Sequence, residues 1–225
     1  MQQKEEDKSY FWISYSDLMS ALLLFFALFL MVSLLENQSS IEAKDEMIED
    51  LIGIRAEIIE QLIQEFEDSD LEMNVDSETG AIRFSGGLFF DLDESELSNQ
   101  GESYLQEFIP QYIGILMSPA FRDQIAEVIV EGHTDTQGNY LYNLNLSQDR
   151  ALSVVEKILD DDFPEFEYRE ELRPLITANG RSFSNPIADE KGEIAADESR
   201  RVEFKFRLKE EELIEEIQMM VTDDE

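Results

Sequence analysis

Two sets of residues in this sequence have types and spacings suited to chemistry. The first is Gly132-His133-Thr134-Asp135-Thr136-Gln137-Gly138, then Asn143, then Leu146-Ser147-Gln148-Asp149-Arg150-Ala151, and finally Ser199-Arg200-Arg201-Val202-Glu203. Asp135 falls just past an expected strand, and Arg150 in the expected first turn of a helix capped by Ser147. A cation there opposes the helix dipole, which makes sense if it and the free amides of that turn hold an anion. With Asp135 close enough to bind an ammonium, the pair would suit a zwitterionic ligand. A structural Asp–Arg salt bridge accounts for the two residues equally well. The second set centres on Asp17, the one carboxylate in the otherwise apolar run YSDLMSALLLFFALFLMVSLL, from Tyr15 to Leu35. An ionised carboxylate inside hydrocarbon costs roughly 3 kcal/mol, so it must face a protein or water-lined interior or stay protonated. An interfacial aspartate that merely reaches water is the open alternative. Ser20 and Ala21, three and four residues on, form with Asp17 a narrow face that permits close approach of other helices.

Other chemistries have little to work with. The chain has no cysteine and a single histidine, so disulfides and the usual zinc sites are excluded, and His133 reads as structural. Ser147 has no base to activate it. Nothing in the sequence argues for an enzyme or for a cofactor. Acidic residues outnumber basic ones 52 to 17, a formal charge of −35, which opposes any general affinity for nucleic acid or anionic lipid.

The elements that must position these residues follow from patterning. Leu18 to Leu35 is 18 residues without a charge, about 27 Å as a helix, long enough to cross a bilayer. Its unusually long apolar core, ending in Val32-Ser33-Leu34-Leu35 rather than a small-residue cleavage site, favours a retained anchor over a cleaved signal. Lys4 and Lys8 precede it and place the N-terminus in the cytoplasm, with Trp12 and Tyr15 as an interfacial belt. Residues 36 to about 70 carry apolar positions at helical spacing, interrupted by Lys44 and Arg55, and read as a helix leaving the membrane that serves either as spacer or as dimerising element.

Beyond it, Ala81–Ser85 reads as a strand broken by Gly86-Gly87, Leu97–Met117 as a helix, and Ile125–Glu131 as a strand stopping at Gly132. A helix from Ser147 carries Ala151, Leu152, Val155, Ile158 and Leu159 and ends at the acidic run Asp160–Asp162. Pro174–Ala178 is a further strand, and Arg201–Leu208 alternates strictly, with Val202, Phe204, Phe206 and Leu208 on one face. The expected fold is a single N-terminal transmembrane helix plus an α+β two-layer domain, with strands alternating with helices in a mixed sheet. The acidic tail from Lys209 reads as a helix that frays.

Both sets resemble known families. Trp12-x-x-x-x-Asp17-Leu18-Met19-Ser20-Ala21 followed by Phe25-Phe26 resembles the membrane signature of the MotB-type stator B-subunits, with ExbD and TolR as more distant relatives. That resemblance implies that Asp17 carries the driving ion, proton or sodium, in a homodimer enclosed by a ring of MotA-like multi-pass A-subunits. The pattern GHTDxxGxxxxNxxLSxxRA from Gly132 to Ala151 is similar to that of OmpA-like peptidoglycan-binding domains over about residues 78–208. It implies that Asp135 and Arg150 grip the ammonium and carboxylate of diaminopimelate, with Thr134, Asn143 and Arg200 in support and Phe90-Asp91 near the site. Ser199 stands where that family has asparagine, and Gly180–Pro186 is spaced more loosely than usual. The mixed-charge segment before the membrane and the acidic linker look more like the ZorB type of Zorya anti-phage defence, with a ZorA-like partner, than like a flagellar stator. A flagellar subunit and a passive membrane-to-wall anchor are the alternatives. The implied organisation is a cytoplasmic N-terminus (1–10), transmembrane helix (11–35), periplasmic helical linker (36–77), OmpA-like domain (78–208) and acidic tail (209–225), in the bacterial inner membrane.

Overall fold

The computed structural model describes residues 2–67, 69, 71–189 and 191–209, and the chain divides into two compact units, 1–50 and 51–225. Helix α1 (Gln2–Phe66) supplies the described part of the first unit and the opening turns of the second. Within the first unit lies the stretch long and apolar enough to cross a membrane, Leu18–Leu35, none of it buried against protein. Asp17 is in α1, one residue before that stretch, but its side chain lies outside the described residues, as do those of Trp12 and most of residues 36–51. The tail beyond Lys209 also lies outside them.

The second unit is built on a mixed five-stranded sheet in the order β1-β2-β5-β3-β4. The strands are β1 (Met73–Val75), β2 (Ile82–Ser85), β3 (Ile125–His133), β4 (Ile176–Gly180) and β5 (Arg201–Leu208). Only β3 and β4 run parallel; the other neighbours are antiparallel. The central strand β5 shows the alternation that its sequence predicts. Val202, Phe204, Phe206 and Leu208 are buried in the core, while Arg201, Glu203, Lys205 and Arg207 pair with charged neighbours. Helices α3 (Asn99–Leu116), capped by the Ser98 hydroxyl, and α4 (Tyr140–Leu159) share that core with the last turns of α1. An aromatic cluster ties them: the Phe84 ring lies 4.9 Å from Phe108 and 5.9 Å from Phe204, and Phe66 lies 5.3 Å from Phe108.

Ile58, Ile59, Leu62 and Phe66 come from the stretch read as linker, yet they are buried against the sheet unit, and β1 also lies in that stretch. Their helical spacing is visible in the sequence; their packing partner is not. Short helical turns α2 (Gly86–Phe89), α5 (Arg169–Leu172) and α6 (Ala196–Ser199) complete the unit. Gly86 therefore ends the β2 strand by starting a helical turn.

The close approach of α4 to the sheet rests on two glycines. Gly132 and Gly180 are register partners at the ends of β3 and β4. A Cβ on Gly132 would lie 2.1 Å from the Ser147 carbonyl oxygen, and one on Gly180 would lie 2.5 Å from the Gln148 amide nitrogen. Gln148 clasps β4 with its side-chain amide, donating to the Ala178 carbonyl and accepting from the Gly180 N–H.

Candidate functional site

Four segments converge at the carboxyl end of β3: its own continuation, helix α4, the loop at 90–94 and the residues around Arg200. Strand β3 runs two residues further than its apolar pattern suggests, through His133, and delivers Thr134 and Asp135 directly beyond its end. Helix α4 begins at Tyr140, with the Asn139 side chain accepting from the Leu141 N–H. This corrects the reading of Ser147 as a cap. Ser147 lies inside α4, fully buried, where its hydroxyl donates to the Leu144 carbonyl and accepts from the Ser182 N–H. Arg150 is accordingly well inside the helix rather than in its first turn, so free helix-end amides do not accompany it. What presents it is the inner face of α4, where Asn143, Ser147 and Arg150 follow at helical spacing.

Arg150 is buried and held in place. Its Nε donates to the Glu94 carbonyl at 2.8 Å, its Nη2 to the Asp91 carbonyl at 3.2 Å, and its guanidinium carbon lies 5.2 Å from the centre of the Phe90 ring. Among the described residues no hydrogen bond engages Nη1. Burial lowers the Arg150 pKa from its ordinary value, opposed by the charge of Asp93; Arg200 and Asp135 also act on it, so the three share one electrostatic neighbourhood. Asp135 accepts from the Gln137 N–H through Oδ1 at 2.9 Å and from Arg200 Nη1 through Oδ2 at 2.5 Å. Arg200 reaches on to the exposed Asp197. Asn143 donates to the Gln137 carbonyl at 2.7 Å, which fixes the turn that presents Asp135. Among the described residues the buried Thr134 hydroxyl has no hydrogen-bond partner, while its N–H donates to the Ser182 carbonyl.

The five residues read as wall-binding thus belong to one neighbourhood. An anionic oxygen pair (Asp135), an uncommitted guanidinium nitrogen (Arg150) and an unpartnered hydroxyl (Thr134) together can hold an ammonium and a carboxylate of one small ligand. Sequence reasoning missed Asp197 and Ser182. Asp197 carries no pattern beyond its i, i+3 relation to Arg200, and Ser182 is buried with φ at 51°, a backbone state its residue type does not advertise.

Beside this site, Glu131, His133 and Glu203 bring three potential metal ligands within 4.8 Å of one another. The cluster is already charge-balanced. Lys205 Nζ lies 2.6 and 2.7 Å from the two carboxylates, and Arg201 and Arg83 engage the other oxygen of Glu203. A divalent ion would have to displace the lysine, so we read the group as an ion-pair network that lets two glutamates face each other across β3 and β5.

Its pH dependence follows. Burial raises the carboxyl pKa of Glu203, but hydrogen bonds from Lys205 and Arg201 and their charges outweigh it and hold the group at about 2; burial likewise works against Glu131, which the Lys205 ammonium, with the His133 ring 3.4 Å away, also holds at about 2. Burial keeps the His133 imidazole below its ordinary value of 6.5. Each group is thus depressed on folding. The carboxylates contribute stability above pH 4.5 that is lost as pH falls toward 2, and His133 adds a loss that begins below 6.5. Glu203→Gln is expected to cost about 3 kcal/mol at pH 7, and the gap from wild type should close between pH 4.5 and 2. Denaturant titrations of both proteins across that range check it; a gap independent of pH would contradict the ion-pair assignment.

Comparisons with known proteins agree with the architecture. Residues 89–200 match the model of the OmpA family. The chain is 31% identical to the Zorya protein ZorB of Escherichia coli O139:H28 (strain E24377A / ETEC) over 215 residues, covering 92% of this chain and 83% of that protein. It is 28% identical to the Zorya protein ZorB of Escherichia coli strain ATCC 8739 over 218 residues, covering 90% and 89%. Among solved structures, the periplasmic domain of Helicobacter pylori MotB is similar at 14% identity and a TM-score of 0.46, covering 68% of this chain and 99% of that one. With an OmpA-like domain, one apolar helix of membrane length among the described residues and a relative 31% identical over 92% of this chain, the chain belongs to the ZorB family.

Proposed function

We propose that this protein is the wall-anchored B-subunit of an ion-driven membrane motor acting in anti-phage defence. The helix Leu18–Leu35 crosses the inner membrane with its N-terminus in the cytoplasm and the sheet unit in the periplasm. Asp17 carries the driving ion, proton or sodium, in a homodimer surrounded by a ring of multi-pass A-subunits. Residues 36 to about 50 link membrane and wall, and the unit that follows, with its OmpA-like domain from about 78 to 208, holds peptidoglycan. The protein is a tether and ion carrier rather than an enzyme, and nucleic acid is no part of its work. One observation supports this reading above the others: a single chain carries both an aspartate at the mouth of an exposed apolar helix and the convergent Asp135–Arg150–Arg200 neighbourhood.

At the wall site, Asp135 takes the ammonium of a diaminopimelate side chain and Arg150 takes its carboxylate through Nη1. Arg200 orients Asp135, Asn143 fixes the turn beneath it, and Thr134 offers a hydroxyl. The test is cosedimentation with purified sacculi. Asp135→Ala is expected to lower the bound fraction by an amount equal to about 3 kcal/mol, roughly a hundredfold in affinity, since it strips a buried partner from the ligand ammonium. Sedimentation of both Asp135→Ala and Arg150→Ala like the wild type would remove the wall from the proposal.

A further inference from the structure

We propose that the groove between α1 and the β1–β2 hairpin seats this chain's own acidic tail, residues 210–225. The groove is lined along α1 by Ile52, Ala56, Ile59 and Ile63, and across from them by Ser77 and Glu78 of the hairpin, and it encloses about 560 Å³. Its helix side is an apolar stripe at the i, i+4, i+7, i+11 spacing that one helix offers another. Ile52 is 64% exposed and Ala56 is exposed as well. On a molecule of net charge −35, such a stripe calls for a cover.

The tail has the matching pattern. Leu213, Ile214, Ile217, Met220 and Val221 share one face at helical spacing, while Glu211, Glu212 and Glu215 fall on the other. As a helix, Leu213 to Val221 spans about 12 Å and fits within the stripe from Ile52 to Ile63, about 17 Å long. Glu60 and Glu78 line the groove too, which favours an occupant that turns its acids outward.

The tail also starts in the right place. Strand β2 runs antiparallel to β5 with Ile82 opposite Phe204, so the hairpin ahead of β2 lies beside the last residues of β5. A Cβ on Gly80 of that hairpin would lie 2.8 Å from the Phe206 ring and 2.9 Å from Ile59. Arg55 joins the same elements, its guanidinium carbon 5.0 Å from the centre of the Phe206 ring and its Nη1 donating to the Thr79 carbonyl. Soon after Phe206 comes Lys209, whose N–H and Nζ donate to the Gln124 and Asp123 carbonyls and fix the root of the tail. A segment tethered there meets the groove at an effective concentration on the order of 1 mM. A second copy competes poorly, because it brings a further charge of −35. Residues ahead of Ile52 continue α1 and do not fold back, and 210–225 is the longest run outside the described residues. Seated in the groove, the tail would join the end of the central strand β5 to α1.

The chain has no cysteine, so disulfide trapping in the full chain in detergent is a clean test. Ala56→Cys is combined in turn with Leu213→Cys, Ile217→Cys and Met220→Cys, and with Glu215→Cys and Met219→Cys from the opposite face. At least one of the first three pairs is expected to close within a single chain about tenfold faster than either control. Equal rates at all five positions, or no closure at the first three, overturn the proposal. Closure found only at twice the chain's mass also overturns it and gives the groove to a second copy. A further measurement needs no introduced cysteine: deletion of 210–225 is expected to speed amide hydrogen exchange across Ile52–Ile63 roughly tenfold, and unchanged exchange would count against a seated tail.

Discussion

Asp17→Asn is expected to abolish protection against phage while leaving membrane insertion, abundance and wall binding as in the wild type. Asparagine has nearly the shape of aspartate but neither ionises nor exchanges a proton, so the substitution removes only the chemistry proposed for this position. Insertion should if anything improve, because the adjoining stretch Leu18–Leu35 is uncharged and a carboxylate at its edge is a cost the asparagine avoids. The sheet unit, with its own core, has no part in the change. Plating efficiency of phage on cells expressing the variant, read beside sacculus cosedimentation of the same protein, gives the result. Full protection by Asp17→Asn, with protection lost in Asp135→Ala, would sink the motor reading and leave a passive tether.

Gly132→Ala is expected to cost about 4 kcal/mol or more, enough to unfold much of the protein at ordinary temperature given typical stabilities of about 5–15 kcal/mol. The added methyl would fall 2.1 Å from the Ser147 carbonyl oxygen, well inside any real contact. Neither side can yield cheaply. Gly132 is paired to Val202 on one side and Gly180 on the other, and Ser147 is fixed by its bonds to Leu144 and Ser182. Relief requires α4 to lift from the sheet, which carries Arg150 away from Asp135. Gly114→Ala is the matching control. It lies in α3 with nothing within 4 Å of a new Cβ, so it should stabilise by up to about 1 kcal/mol. Thermal denaturation of the three proteins separates the cases; a Gly132→Ala melting point within a few degrees of wild type would refute the packing argument.

How far the fold could be read from sequence depended on which faces were apolar. Strand β5 and helix α3 are legible because their apolar residues recur at the strand and helix periods and all of those in β5 enter the core. Helix α4 was legible only from Ala151 onward. Its first turns also bury a face, but that face is Asn143, Ser147 and Arg150, and polar residues at helical spacing do not register as a hydrophobic pattern. By residue type Ser147 is a plausible cap and marks the start that the pattern suggests, whereas Asn139 caps the helix. Polar residues on the buried face thus concealed the first turns of the helix that carries the candidate site. The site residues themselves emerged from their motif, and their meeting depends on contacts far apart in the chain, such as Arg200 with Asp135 and Arg150 with the Glu94 carbonyl, which spacing alone could not supply.

The fixing of Arg150 by two loop carbonyls and the Phe90 ring has a kinetic side. A free arginine side chain surrenders about 1–2 kcal/mol of rotamer entropy whenever it closes on a partner and regains it on letting go. Arg150 has made that surrender once, during folding, so release of a wall peptide brings it no such reward. For the wall anchor proposed above the consequence is dwell time. Such a grip would resist rapid detachment, because one of its fingers has no slack to recover.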